Sequence, residues 1–275
     1  MSGTVISPFR KYLSFFRIRF SAGLQYRAAA IAGIVTQFIW GTMEILLYEA
    51  FWRTDPSAFP MARGELYTYI WIQQALLAMY MPWIFDNNIF DQITNGGVAL
   101  ELCRPADIYT MWYLKNCSMR LSRVLLRCIP IFVITAFLPE PFGFRPPSDP
   151  IRLILSLFSL IIGFLIVIAI SMLIYISAFY TLDSRGVRMV AATIAEFCAG
   201  AVIPLPFLPD GVRYVMSLLP FASSQSTPFL IFSGSLTGTD AFCAMGLQLF
   251  WCVALIAVGK LWMRSALKNV VLQGG

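Results

Sequence analysis

Leu153–Leu182 reads LILSLFSLIIGFLIVIAISMLIYISAFYTL, thirty residues without a Lys, Arg, Asp or Glu. Arg152 and Asp183 stand at its two ends. An α-helix rises about 1.5 Å per residue, so roughly 20 apolar residues cross a bilayer core of about 30 Å. A stretch of this length spans with tilt, and it is too long for the core helix of a soluble domain.

The rest of the chain agrees. Of its 275 residues, 59% are hydrophobic and 12% charged, and the mean hydropathy is +0.74. Soluble domains carry about 25% charged residues. No polar stretch is long enough to fold separately, so residues 1–275 read as one all-α membrane unit. Six spans are predicted: Ala28–Phe51, Leu66–Phe85, Leu121–Leu138, Leu153–Leu182, Arg188–Phe207 and Ala241–Met263. The third is the least apolar, because Arg123 and Arg127 fall in its first turns. They can snorkel to the headgroups.

Positive charge orients such a bundle. With the N-terminus inside, fifteen of the 20 basic residues are cytoplasmic, Lys115, Arg120, Arg123 and Arg127 among them. The outside keeps Arg53, Arg63, Arg145, Arg152 and Arg213. Both termini are therefore expected to be cytoplasmic, and the net charge of +6 reads as a topology signal, not as nucleic-acid affinity. The first apolar run is too long for the core of a cleaved signal peptide. Ahead of it, residues 8–26 contain Phe9, Tyr12, Leu13, Phe16 and Phe20 on one helical face and Arg10, Ser14, Arg17 and Ser21 on the other. This pattern predicts an amphipathic helix in the cytoplasmic interface, with its aromatics in lipid. A disordered basic tail is the bland alternative.

Some chemistry is excluded. The chain has no histidine, which removes His-based metal sites, His general bases and Ser-His-Asp triads. The six cysteines form no C-x-x-C pair, and structural disulfides are not expected. No phosphate-binding G-x-x-x-x-G-K-[ST] loop occurs, so any ATP must bind another chain.

Two loops carry more than a connection. In residues 86–105, Asn87 or Asn88 can cap a short helix and Gly96 can end it in the left-handed conformation. Ile89, Phe90 and Ile93 give that helix an apolar side suited to docking a partner. The residue pattern alone equally allows a solvated connector. After the fifth span, Ile203-Pro204-Leu205-Pro206-Phe207-Leu208-Pro209 breaks the helix. A short amphipathic helix then follows, with Val212, Val215, Met216 and Leu219 on one face, before Pro220-Phe221. Such a piece can re-enter the membrane where protein covers its backbone. Pro139–Pro150 reads as a rigid outer turn.

Glu44, Glu49 and Glu196 fall within spans. A charge at bilayer depth faces protein or water. Each either marks a cation or proton path or is a neutral acid bonded to amides such as Gln37, Gln73 or Gln74. Glu49 fits the second reading; Glu44 and Glu196 fit either.

The order of these parts resembles the permease subunits of ABC-2 type ATP-binding-cassette exporters, over nearly the whole chain. The matching pieces are the basic entry helix, six spans, Ile93-x-x-Gly96 before Leu100-x-Leu102-x-Arg104-Pro105, and the broken segment from Ile203 through Leu219-Pro220-Phe221 to Pro228 and Gly234. The tail Val270-Val271-Leu272-Gln273-Gly274-Gly275 completes them. The resemblance implies a half-transporter of a bacterial inner membrane, paired with an identical or related permease over two ATPase subunits that hold ATP and Mg. It implies no catalytic residue and no cofactor on this chain. The loop 88–105, with Asn88, Ile89, Phe90, Asp91, Ile93, Gly96, Gly97, Leu102, Arg104 and Pro105, would couple to the ATPase. Pro204, Pro206, Pro209, Pro220 and Phe221 would belong to an outer gate. Gln37, Glu44, Gln73, Gln74 and Glu196 would be candidates for the path, and its substrate is left open. A proton-driven secondary transporter and a non-transporting scaffold are the rivals. Against the first stand a single broken outer segment and no internal repeat.

Overall fold

The computed structural model describes residues 8–181 and 184–268. Every regular element among them is helical. α1 (Pro8–Gly23) precedes the long α2 (Arg27–Thr54), and α3 (Arg63–Ala75) and α4 (Leu77–Tyr80) follow. Two short helices, α5 (Asn87–Thr94) and α6 (Val98–Leu102), lead to the long α7 (Ile108–Ala136) and α8 (Pro150–Ser177). Beyond α9 (Ser184–Cys198) come the short α10 (Asp210–Leu218), α11 (Pro220–Ser224) and α12 (Ser226–Ser233), then the long α13 (Gly238–Lys268). Leu182, Asp183, the tail after Lys268 and the side chain of Phe9 lie outside the described residues.

Among the described residues, three helices are long and apolar enough to cross a membrane: Ala28–Thr54, Pro150–Tyr180 and Gly238–Lys268. They match the first, fourth and sixth expected spans. The other three take different shapes. The expected second span is split into α3 and α4, with the break at Leu76. The third starts well before Leu121, because Asp107 caps α7 by accepting from the Thr110 N–H at 2.9 Å and the Thr110 hydroxyl at 2.6 Å. Lys115, Arg120, Arg123 and Arg127 therefore ride on α7 itself, with Pro130 further along it. The fifth stops at Cys198. Gly200 there adopts a φ of +75°. Its N–H donates to Phe197 O at 3.1 Å, and that of Ala201 donates to Glu196 O at 3.2 Å. Both bonds satisfy carbonyls at the helix end, in a conformation that glycine takes without a Cβ clash. Pro204 and Pro206 then withhold the donors a continued helix needs.

α8 is the spine. Ile166–Met172 are buried on every side, two helical turns in which each residue is at most 8% exposed. A helix that is apolar all round belongs inside a bundle. α13, α12, α11 and α7 enclose it. α2 and α13 are peripheral and leave outward apolar faces, among them Ile31, Val35 and Ile39 on α2 and Leu249 and Val253 on α13.

α1 lies along α7. The Tyr12 hydroxyl accepts from the Asp107 N–H at 3.1 Å, and Phe16 packs against the core while stacking on Phe20. The aromatic face expected in lipid is thus partly a protein contact. Leu13 and Ile18 remain exposed. The bundle has a basic end, with α1, α5, α6 and the first half of α7, and a proline-rich end, with α10–α12.

Candidate coupling and transport sites

At the basic end one guanidinium ties three elements together. Arg120 is wholly buried. Its Nε donates to Asn116 Oδ1 at 3.1 Å. Nη1 donates to the carbonyls of Met79 at 3.1 Å and Met81 at 2.9 Å. Nη2 donates to the Ile84 carbonyl at 2.7 Å and to Ser171 Oγ at 3.1 Å. A guanidinium has five N–H donors, and here each has an acceptor. Three of the acceptors are carbonyls at and beyond the C-terminal end of α4, where helical carbonyls lack partners and a cation is favoured. The side chain thus joins α7 to α8 and to the turn that leads into α5. Asn116 extends the network, its Nδ2 donating to the Tyr175 hydroxyl at 3.1 Å. The same hydroxyl accepts from the Asp86 N–H at 2.7 Å.

A second layer orients α5. Asp86 caps it, with Oδ1 accepting from the Asn88 N–H at 3.0 Å. The cap is therefore Asp86 rather than Asn87 or Asn88, because Asp86 is the last residue still in an extended conformation. The other Asp86 oxygen pairs with Lys115 Nζ at 3.0 Å, and Lys115 also donates to Asn88 Oδ1 at 3.0 Å. From α9, Arg188 donates to Asn87 Oδ1 at 2.8 Å and lies over the rings of Phe90 and Phe85. Gly96 ends α5 with a φ of +71°, as its position predicts.

The apolar side of α5 faces inward. Ile89 and Phe90 are buried, and the Phe90 ring packs on Tyr175 at 4.9 Å between centroids. They anchor the loop to the bundle and leave nothing of themselves for a partner. Asn88, Asp91, Gly96, Leu102, Arg104 and Pro105 are exposed, Ile93 and Gly97 half-buried. Within this loop the most exposed large apolar side chain is Leu100 on α6, at 75%.

The polar residues of the spans fall into separate contacts. Gln74 Nε2 lies 3.5 Å from Glu44 Oε2, joining α3 to α2. Gln73 Nε2 donates to the Ala201 carbonyl at 2.7 Å, and the Tyr69 hydroxyl to that of Gly200 at 3.1 Å. This pair fixes the turn that ends α9. Gln37 is buried with neither amide atom bonded. Glu196 is half-buried on the last turn of α9, and its carboxylate has no bond among the described residues. Glu49 is a lock between α2 and α3, accepting from Tyr67 at 2.6 Å, Arg53 at 3.1 Å and Arg63 at 3.5 Å.

At the proline-rich end the prolines start helices. Pro204 and Pro209 precede the 3-10 turn Leu205–Phe207 and α10, Pro206 lies in that turn, and Pro220 opens α11. The Phe207 ring contacts Tyr48 at 5.1 Å and Phe59 at 5.3 Å, pinning the segment to the end of α2. Phe221 packs half-buried against the core. α11 reaches α8 where Gly163 has no side chain; a Cβ there would lie 2.4 Å from the Ser224 carbonyl oxygen. Gln248 of α13 donates to the Ser223 carbonyl at 2.7 Å. α10 has no buried residue. An open groove of about 870 Å³ separates α10 and α12 from α13.

Sequence reasoning missed Arg120, Lys115, Asp86, Asn116, Tyr175 and Leu100 as members of a site. Leu100 was within reach, as part of Leu100-x-Leu102-x-Arg104-Pro105 in the stretch that follows the left-handed Gly96. A family model described as ABC-2 family transporter protein matches residues 38–274 of the chain. No curated protein matches it.

Proposed function

The chain belongs to the ABC-2 family of transporter proteins, and from that premise we propose that it is the membrane-spanning permease subunit of an ATP-driven exporter. It is a membrane transport component and not itself a catalyst. In this reading six segments cross a bacterial inner membrane: α2, α3 with α4, α7, α8, α9 and α13. The basic end and both termini are cytoplasmic, α1 rests in the interface, and α10–α12 form the outer re-entrant segment. A second permease, identical or related, pairs with it over two ATPase subunits, which hold ATP and Mg. Gln37, Glu44, Gln74 and Glu196 border the path, and hydrophobic or amphipathic molecules suit its apolar surroundings.

The observation that carries this reading is the build of α5 and α6. The stretch from α5 past α6 exposes Asp91, Leu100, Leu102 and Arg104, while the start of α5 is bonded through Asp86, Asn87 and Asn88 to α7, α8 and α9. A ligand shifts a conformational equilibrium only by its different affinity for the two states. ATP on another chain therefore needs a stiff link, and Asp86, Lys115 and Arg120 supply one.

The test is ATP hydrolysis by the cognate ATPase, purified with the permease in lipid. Leu100→Glu places a charge in the docking face, and stimulation of hydrolysis is expected to fall about tenfold or more. Its melting temperature should not change, because the side chain is exposed. Gly96→Pro cannot keep a positive φ and should uncouple as well. Unchanged stimulation in both variants would remove the coupling role. The unbonded carboxylate of Glu196 favours a second reading, proton-driven transport. Flux that needs no ATPase and collapses with the proton gradient would select it, and no flux at all would select a scaffold.

A further inference from the structure

A groove of about 720 Å³ lies at the basic end, between α1, the first turn of α2, α7 and the turn into α5. Arg19, Lys115, Arg123 and Arg127 line it. Its one carboxylate, Asp86, is already committed to Lys115. Arg123 and Arg127 sit one turn apart on α7, where like charges repel. Neither has an acidic partner among the described residues. Arg127 lies against the backbone of Gly33 on α2, and its one bond is a long contact from Nη2 to the Ala29 carbonyl, 3.4 Å. Its Nε is buried with no acceptor at all. Buried donors without acceptors are rare, and one beside a cation-lined groove calls for an anion. Tyr26, largely exposed, and Trp83, half-exposed, flank the groove. Such rings sit at headgroup level.

We propose that this groove binds the phosphate of an anionic phospholipid of the cytoplasmic leaflet, with Arg123 and Arg127 as its ligands. The assignment of the leaflet rests on the topology proposed above. Basic pockets between membrane helices on the cytoplasmic side suit anionic headgroups. A phosphodiester between the two guanidiniums offsets their repulsion.

Native mass spectrometry of the full chain in detergent tests this with three probes: dioleoyl phosphatidylglycerol, dioleoyl phosphatidylcholine and inorganic phosphate. Phosphatidylglycerol is expected to bind one to one and in preference to phosphatidylcholine, and inorganic phosphate should not displace it. Arg123→Gln with Arg127→Gln should weaken phosphatidylglycerol binding roughly thirtyfold, at about one basic-residue contribution each. The single Arg123→Gln, at an exposed position, keeps the fold and should lose roughly fivefold on the same basis. Arg123→Lys with Arg127→Lys should keep most of the binding. Equal binding of the two lipids, or full binding by both glutamine variants, overturns the proposal. Displacement by inorganic phosphate overturns the lipid and points to a soluble anion. Binding in detergent needs neither an ATPase nor a sided membrane, so its failure leaves the permease reading standing. Sidedness is read separately with an impermeant maleimide on the exposed Cys103. Labelling of Cys103 from outside would overturn the leaflet while leaving the groove's binding intact.

Discussion

The two ends of the bundle are held by different physics. At the basic end a charged side chain meets five acceptors, an ion pair backs it, and the Tyr175 hydroxyl takes two donors. At the proline-rich end the fastenings are aromatic rings and single bonds to carbonyls, such as Trp251 Nε1 to Leu218 O at 2.9 Å. Ser223 Oγ and both amide atoms of Gln225 are buried there without partners. A satisfied polar network resists small displacements, because each lost bond leaves a buried group unpaired. Unpaired buried donors occur at the basic end too, Trp112 Nε1 and Arg127 Nε among them, so the contrast rests on the Arg120 network, which has no counterpart beside α10–α12 among the described residues. On the proposed topology, the difference suits a device whose inner joint conveys a push and whose outer cover yields to it.

Arg120→Met attacks the stiff end and should have the largest effect. It leaves three carbonyls, Asn116 and Ser171 without their donor, a loss of about 3–5 kcal/mol. Melting temperature in detergent and yield in the membrane should both drop sharply. An unchanged melting temperature would show that the network adds nothing. Phe207→Ala attacks the yielding end and removes two ring contacts, about 1–2 kcal/mol. The melting temperature should fall by a few degrees. Cys243, which lines the groove beside α10 and α12, should react faster with maleimide. A larger loss than that of Arg120→Met would reverse the comparison. Gln225→Leu should have the smallest effect, neutral or slightly stabilising, since it removes an amide that has no partner. A clear destabilisation would show that Gln225 is bonded after all and that the outer end is not the looser one.

Much of the architecture was legible in the chain. The uncharged run at Leu153–Leu182, the two other long apolar runs, Gly96 and the cluster of prolines each act through local chemistry that neighbouring residues reveal. The joint was not legible, for the opposite reason. Lys115 and Arg120 look like loop cations until α7 is seen to begin at Ile108, and nothing near them in sequence announces Met79, Met81 and Ile84. The periodicity of Ile89, Phe90 and Ile93 correctly reported an apolar side but could not say what covers it. It covers the bundle, so deleting Ile89–Asn95 would remove anchors as well as contacts, and Leu100→Glu is the cleaner probe. The residues expected to border a path, Gln37, Glu44, Gln73, Gln74 and Glu196, share a chemistry, yet among them only Glu44 and Gln74 meet.

α8 is enclosed along Ile166–Met172, while Ile154, Leu157, Phe158 and Ile161 nearer its start are exposed. Only that first part meets acyl chains, and the rest is insulated by protein. Thinning or thickening of the bilayer therefore acts on the enclosed half only through the helices around it. The most apolar stretch of the chain is, along its second half, the part that senses the membrane least.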